Sequence, residues 1–318
     1  MAALVRLGQP KGFGGIAMDV SWLWVPATLA ASAAQTARNA TQRRLTETLG
    51  TVGATQVRFL YGLPFAALFL GLVLAVSGER LPRPDAGFLG FIVMGAVTQI
   101  LATALMLAAM RERSFAVVTA TTKMEPVHIA VFGLAVLGDP LTPTMALAIV
   151  VATTGVLLMS LKAGLSELTR AGSRPILLGV VAGAFFGLAA TGFRGAILSL
   201  DSGGFVVRAT TTLVCGLALQ TAVLVAWLLA FNRAALVGSL REWRSSLFAG
   251  FLGALASQFW FIGFALTAAA NVRTLALVEV LMAQAVSHRL LSQATTRREL
   301  LGMALIVVGV ALLLMGQR

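Results

Sequence analysis

Apolar stretches long enough to cross a bilayer recur along nearly the whole chain, and that recurrence confines it to one structural class. A helix of 20 residues advances about 30 Å, the thickness of the hydrocarbon layer. A ruler of that length predicts spans at 19–38, 52–76, 87–109, 115–137 and 143–161, then at 175–199, 205–231, 246–269, 272–290 and 299–316. Inside lipid every backbone N–H and C=O must be satisfied within the chain, so such spans read as helices. Charged residues make up 11% of the sequence, against about 25% in soluble domains. The expectation is an all-α polytopic membrane protein of ten transmembrane helices, with lipid bilayer as its main solvent.

Lys and Arg number 24 against 12 Asp and Glu. In a soluble chain that excess would point to nucleic acid. Here most cations sit between apolar runs, where they read as topology signals facing anionic headgroups, and no basic stretch is long enough to track phosphates. Nucleic acid is therefore not an expected partner. Cys215 is the only cysteine and lies in an apolar run, so no internal disulfide forms. Arg6 and Lys11, an apolar run from Ile16 and Ala31-Ser32-Ala33 imitate a cleavable signal peptide. The run around Trp22 to Pro26 is long enough to span alone, and the repeat described next needs it as the first helix.

Five spans, a polar segment and five more spans point to duplication: a first repeat over 16–162, a hinge over 163–174 and a second repeat over 175–316. Arg58 opens the second span and Arg208 the seventh. Arg38 ends the first and Arg194 lies near the end of the sixth. Glu125 lies on the fourth and Glu279 on the ninth. Because five is odd, consecutive five-helix repeats are inverted in the membrane, a plan that recurs in secondary transporters with the pathway between the repeats. Gly179, Gly183 and Gly187 fall four apart and read as a packing face. Pro26, Pro64 and Pro126 are expected to kink their spans.

Several segments carry a resemblance. These are Ser114-Phe115-Ala116-Val117-Val118, Met124-Glu125-Pro126-Val127, Leu137-Gly138-Asp139-Pro140-Leu141, Gly155-Val156-Leu157-Leu158 and Arg58-Phe59-Leu60. Together they resemble the repeat of the EamA family of the drug/metabolite transporter superfamily. The sequence departs from that pattern at Asp139-Pro140, at Leu291-Ser292-Gln293, at Val280 after Glu279 and at Lys123. The resemblance implies a ten-helix basket around a central cavity, alternating access, and substrates among amino acids, metabolites or drugs. It also implies a multi-pass protein of a bacterial inner (plasma) membrane with both termini in the cytoplasm. The loops after odd-numbered spans hold most of the loop cations, including Arg43, Arg44, Arg111, Arg113, Lys162 and Arg170, and counting them places both termini outside instead.

A charge at the bilayer centre costs at least about 2.5–3.5 kcal/mol, so intramembrane ionisable residues mark pathways or structural pairs. Arg38, Arg194 and Arg208 lie within a turn of a span end and can snorkel. Arg58 lies about 9 Å in and is a candidate for binding substrate. Lys123, Glu125 and Glu279 are nearer mid-span. Lys123 and Glu125, two apart, point to different faces, whereas Glu125 and His128 share one. Lys123 and Glu279, on equivalent helices, either meet at the cavity and bind substrate or form a structural ion pair. The predominance of cations favours a solute bearing a carboxylate or phosphate. Trp260, with Phe259 and Phe261, and Met106, with Met110, read either as an apolar, π-rich wall or as packing.

No phosphate-binding Gly-x-x-x-x-Gly-Lys-Ser/Thr loop and no His-Glu-x-x-His occur, and His128 and His288 stand apart. No cofactor or metal is expected. The reading is a secondary-active transporter of a small organic metabolite, with Glu125 or Glu279 as the proton-coupling site. A lipid-acting membrane enzyme and a non-transporting receptor stand as the alternatives.

Overall fold

The structure is a computed structural model that describes residues 20–112, 118, 121–160, 173–282 and 296–316, with the side chains at 39–55, 107, 110–112 and 245 outside that description. Most of the hinge at 163–174 lies outside it, as do Arg6, Lys11, Arg113, His288 and Leu291-Ser292-Gln293. The side chains of Arg43, Arg44, Met110 and Arg111 are outside it too.

Among the described residues there are helices and no strands. We number them α1 (Trp24–Leu60), α2 (Gly62–Ser77), α3 (Ala86–Glu112), α4 (Glu125–Phe132), α5 (Pro143–Ser160), α6 (Ser173–Ser199), α7 (Phe205–Phe231), α8 (Arg233–Arg241), α9 (Trp243–Leu266), α10 (Ala269–Leu275) and α11 (Arg297–Met315). Among the described residues, seven helical segments are long and apolar enough to cross a membrane. Their outer faces are apolar as well: Leu89, Val93, Val97 and Leu101 form an exposed stripe on α3, while Phe88, Ile92 and Ala96 of the same helix are buried. A helix apolar on both faces is stable where lipid replaces water.

The packing follows the duplication. Helix α3 of the first repeat packs along α6 of the second, and α1 packs along α9, which is the pairing produced by exchanging the repeats. The other main seams join equivalent helices: α2 to α7, α4 to α10 and α5 to α11. Small residues hold these seams close. A Cβ at Gly192 would fall 2.6 Å from the Gly95 nitrogen, and one at Gly155 would fall 2.6 Å from the Gly302 carbonyl oxygen. The stripe Gly179, Gly183, Gly187 seats the fourth span: a Cβ at Gly183 would lie 3.1 Å from the Thr122 carbonyl oxygen, and one at Gly187 would lie 3.0 Å from His128 Cβ.

Four expectations change. The loop between the first two spans is helical, because α1 runs on to Leu60 without a proline between Pro26 and Pro64. It is not a straight rod. Arg38 and Arg58 both flank Gly253, at 3.5 and 3.6 Å from where its Cβ would stand, whereas 20 residues of straight helix advance about 30 Å.

Nor is the fourth span one helix. It breaks in a turn at Lys123–Met124, and α4 then leads into a π-helical turn, Gly133–Leu137. The ninth span starts earlier than expected, at Ala269, and breaks at residues 276–277, with helix again from 278. The prolines open helices rather than kink them. Pro26, Pro64 and Pro126 each sit in the first turn of α1, α2 and α4, where N–H groups have no intrahelical partner and a proline costs little.

Candidate functional site

The two breaks form the centre of the site. In the first, Met124 N–H donates to the Thr121 carbonyl at 3.3 Å and Val127 N–H to the Met124 carbonyl at 3.0 Å. In the second, Leu277 N–H donates to Thr274 at 3.1 Å and Glu279 N–H to Ala276 at 2.9 Å. Both are tightened, three-residue turns in place of α-helical bonding.

Lys123, in the first break, forms an ion pair with Glu279, just past the second, through Nζ and Oε1. The other Glu279 oxygen accepts from Gln35 Nε2 of α1 at 3.2 Å, and Gln35 Oε1 accepts from the Trp260 indole of α9 at 3.2 Å. The Trp260 ring lies under the Arg273 guanidinium, 4.5 Å from its centroid. Arg273 of α10 faces Glu125, with Nε 3.4 Å from Oε1, and neither atom has a hydrogen-bond partner among the described residues. One chain of contacts therefore runs Lys123, Glu279, Gln35, Trp260, Arg273, Glu125, and starts and ends on the fourth span.

Next to this chain lies a cavity lined by Arg58, Arg273, Gln99, Gln220, Trp260 and Phe261, with Phe186, Phe193 and Phe264 closing its sides. Its free volume is about 20 Å³, room for a single water. Gln220 of α7 donates to Gln99 of α3 at 2.6 Å, so the two repeats each place an amide in the wall.

Toward the C-terminal ends of α6 and α9 a second cluster closes the bundle. Gly138, at φ 68°, ends the π-helical turn in the left-handed conformation that glycine tolerates, which brings Asp139 back over it. Asp139 N–H donates to the Gly133 carbonyl at 3.1 Å. Its carboxylate takes Arg194 in a forked contact, Nε to Oδ2 at 3.0 Å and Nη2 to Oδ1 at 2.9 Å. Arg194 Nη1 donates to the carbonyls of Phe264 and Thr267, beyond the reach of α9's own bonding.

The sequence-predicted residues are thus distributed unevenly. Lys123, Glu125, Glu279 and Trp260 share the contact chain, and Arg58 lines the cavity. Met106 lies half-buried on α3 and does not line it. His128 turns from Glu125, with Nδ1 3.2 Å from the Met124 carbonyl oxygen. Arg194 does not snorkel, because Asp139 and two carbonyls hold it inside. Arg273, near the start of the ninth span estimated from sequence, is a half-buried member of the site, and Gln35 carried no signal beyond being a polar residue in an apolar span.

The model of the EamA-like transporter family matches residues 22–161 and again 173–315, one match per repeat. The chain belongs to the EamA-like transporter family. Its fold agrees with that of a solved crystal structure at a TM-score of 0.67 and 14% identity, over 92% of this chain and 95% of the other. No curated protein matches it significantly in sequence. EamA-like proteins are membrane transporters of small solutes, and this chain is a multi-pass member built from two EamA repeats.

Proposed function

We propose that this protein is a secondary-active carrier of a small organic solute, working by alternating access through ten transmembrane helices arranged as two inverted repeats. The observation that carries the reading is the meeting of two broken helices, one from each repeat, at the Lys123–Glu279 ion pair. Discontinuous helices at the interface of repeats are where transporters place substrate and coupling ions.

In this reading Lys123 and Arg58 take the solute, Trp260 forms a wall, and Glu125 and Glu279 exchange salt-bridge partners for a proton. A carboxylate away from water gains from binding a proton once its cation is taken by substrate. The Arg194–Asp139 contact is then the closed gate on one side, since it joins the two repeats above the cavity.

The test uses purified protein in sealed vesicles. A metabolite panel is screened by thermal stabilisation, and the hits are measured for counterflow and for accumulation under an imposed pH gradient. Stabilisation without flux in either assay rejects the carrier reading.

A further inference from the structure

We infer that the central cavity takes an organic monoanion with a flat apolar body, its carboxylate held by Arg58; this deepens the carrier reading and rests on it. Two cations line the cavity, Arg58 and Arg273. Arg273 is engaged by Glu125 and by the Trp260 ring. Arg58 has no carboxylate and no hydrogen-bond acceptor among the described residues, and its one ring contact is to its neighbour Phe59 at 5.3 Å. A guanidinium presents a planar fork of donors that a carboxylate completes with two parallel bonds. Held out of bulk water and without a protein acid, it is a site made whole by a ligand.

The stoichiometry of charge sets the class. One cation awaiting a partner matches one anionic group. A second anionic charge on the ligand would have to displace Glu125 from Arg273, and an ammonium would face the guanidinium groups of Arg58 and Arg273 with Arg38 close by.

The walls set the shape. Phe193 and Phe261 stand 4.9 Å apart at 39°, and Phe261 and Phe264 stand 6.1 Å apart at 37°. Beside them in the lining, Ala189, Ala190 and Gly216 contribute almost no side-chain bulk, and a Cβ at Gly216 would lie 3.1 Å from the Phe193 ring. Tilted rings flanked by small residues leave room for a planar group when the rings part, and offset stacking favours a ring over a branched chain. The Gln99–Gln220 amides bear no charge, so the far end of the ligand needs none.

The test uses the full chain in lipid nanodiscs, followed by thermal unfolding and tryptophan emission, with four probes: 3-phenylpropionate, 3-phenylpropylamine, propionate and phenylsuccinate. The expected result is stabilisation and quenching by 3-phenylpropionate at concentrations about tenfold below those needed for the other three. Arg58→Gln is expected to weaken that response about tenfold or more, and Arg58→Lys to restore part of it. An equal response to the amine or to the dianion overturns the inference, as does an unchanged response in Arg58→Gln. If Arg58→Gln does not insert, the ranking of the four probes on the unaltered protein decides alone. Binding in the expected order without flux of 3-phenylpropionate into vesicles upholds this inference and rejects the carrier reading. Flux confined to amines or phosphates does the reverse.

Discussion

Arg194 and Arg58 are both arginines withdrawn into membrane helices, one in each repeat, and the protein treats them oppositely. Arg194 is answered in full: a forked carboxylate and two backbone carbonyls take its donors. Among the described residues Arg58 meets an aromatic face and no hydrogen-bond acceptor. A charge in lipid is costly wherever it lies, so a site that leaves one unanswered has to gain something from the vacancy. The comparison separates cations that hold a conformation together from cations that wait for a ligand. Lys123 and Arg273 stand between the two, each with one acid that it can exchange.

The sharpest way to break this division is Lys123→Ala. It leaves the Glu279 carboxylate with Gln35 alone, and transport is expected to fall to background while the protein still inserts. Vesicle flux at matched expression checks this, and a wild-type rate in the variant would place Lys123 among the structural cations.

Asp139→Asn comes next and acts on the answered side. Removing one partner of a buried pair costs about 3–5 kcal/mol, and the carbonyls of Phe264 and Thr267 keep the loss near the lower figure. A large drop in the unfolding midpoint is expected, together with greater labelling of cysteines introduced into the cavity wall from the side of the α6 C-terminus. A midpoint equal to wild type would show that the gate is not held by this contact.

Glu125→Gln and Glu279→Gln sharpen the middle category. At least one is expected to lose accumulation driven by a pH gradient while keeping solute exchange. If both concentrate solute as the wild type does, neither carboxylate carries the proton. The smallest effect is expected from Trp260→Phe. It gives up one hydrogen bond to Gln35, about 1 kcal/mol, and part of the stacking under Arg273, about 0.5–1 kcal/mol. The affinity for solute, read from flux at low solute concentration, is expected to fall by at most about ten- to thirtyfold.

Long apolar runs and the doubled order of charges made the class and the duplication legible in the sequence, because lipid leaves few alternatives to a helix. The pairing of Lys123 with Glu279 was legible for the same reason: mid-span charges on equivalent helices have little else to meet. Arg273 was not, since a cation at the estimated start of a span looks like one facing headgroups. Only the early onset of α10 at Ala269 puts it inside. The Arg194–Asp139 contact was hidden by distance along the chain and by Asp139 lying in a turn. The breaks were misread through Pro126, which marks the start of α4 rather than a bend within a longer helix. The helical course of α1 through 39–55 escaped because hydropathy reports lipid exposure and says nothing of helices that leave it.

The seams between α3 and α6, α1 and α9, and α5 and α11 all straddle the duplication. The evolutionary halves of this molecule are therefore not its mechanical halves. Where backbones approach as closely as Gly192 to Gly95 and Gly155 to Gly302, sliding would open voids that lipid cannot fill, so those seams behave as stitched planks. Compliance is left to the turns at 123–124 and 276–277, where helical bonding is already interrupted. In the proposed carrier these turns lie beside Lys123 and Glu279, so a solute bound there would alter the stiffness of the joint at which the bundle flexes.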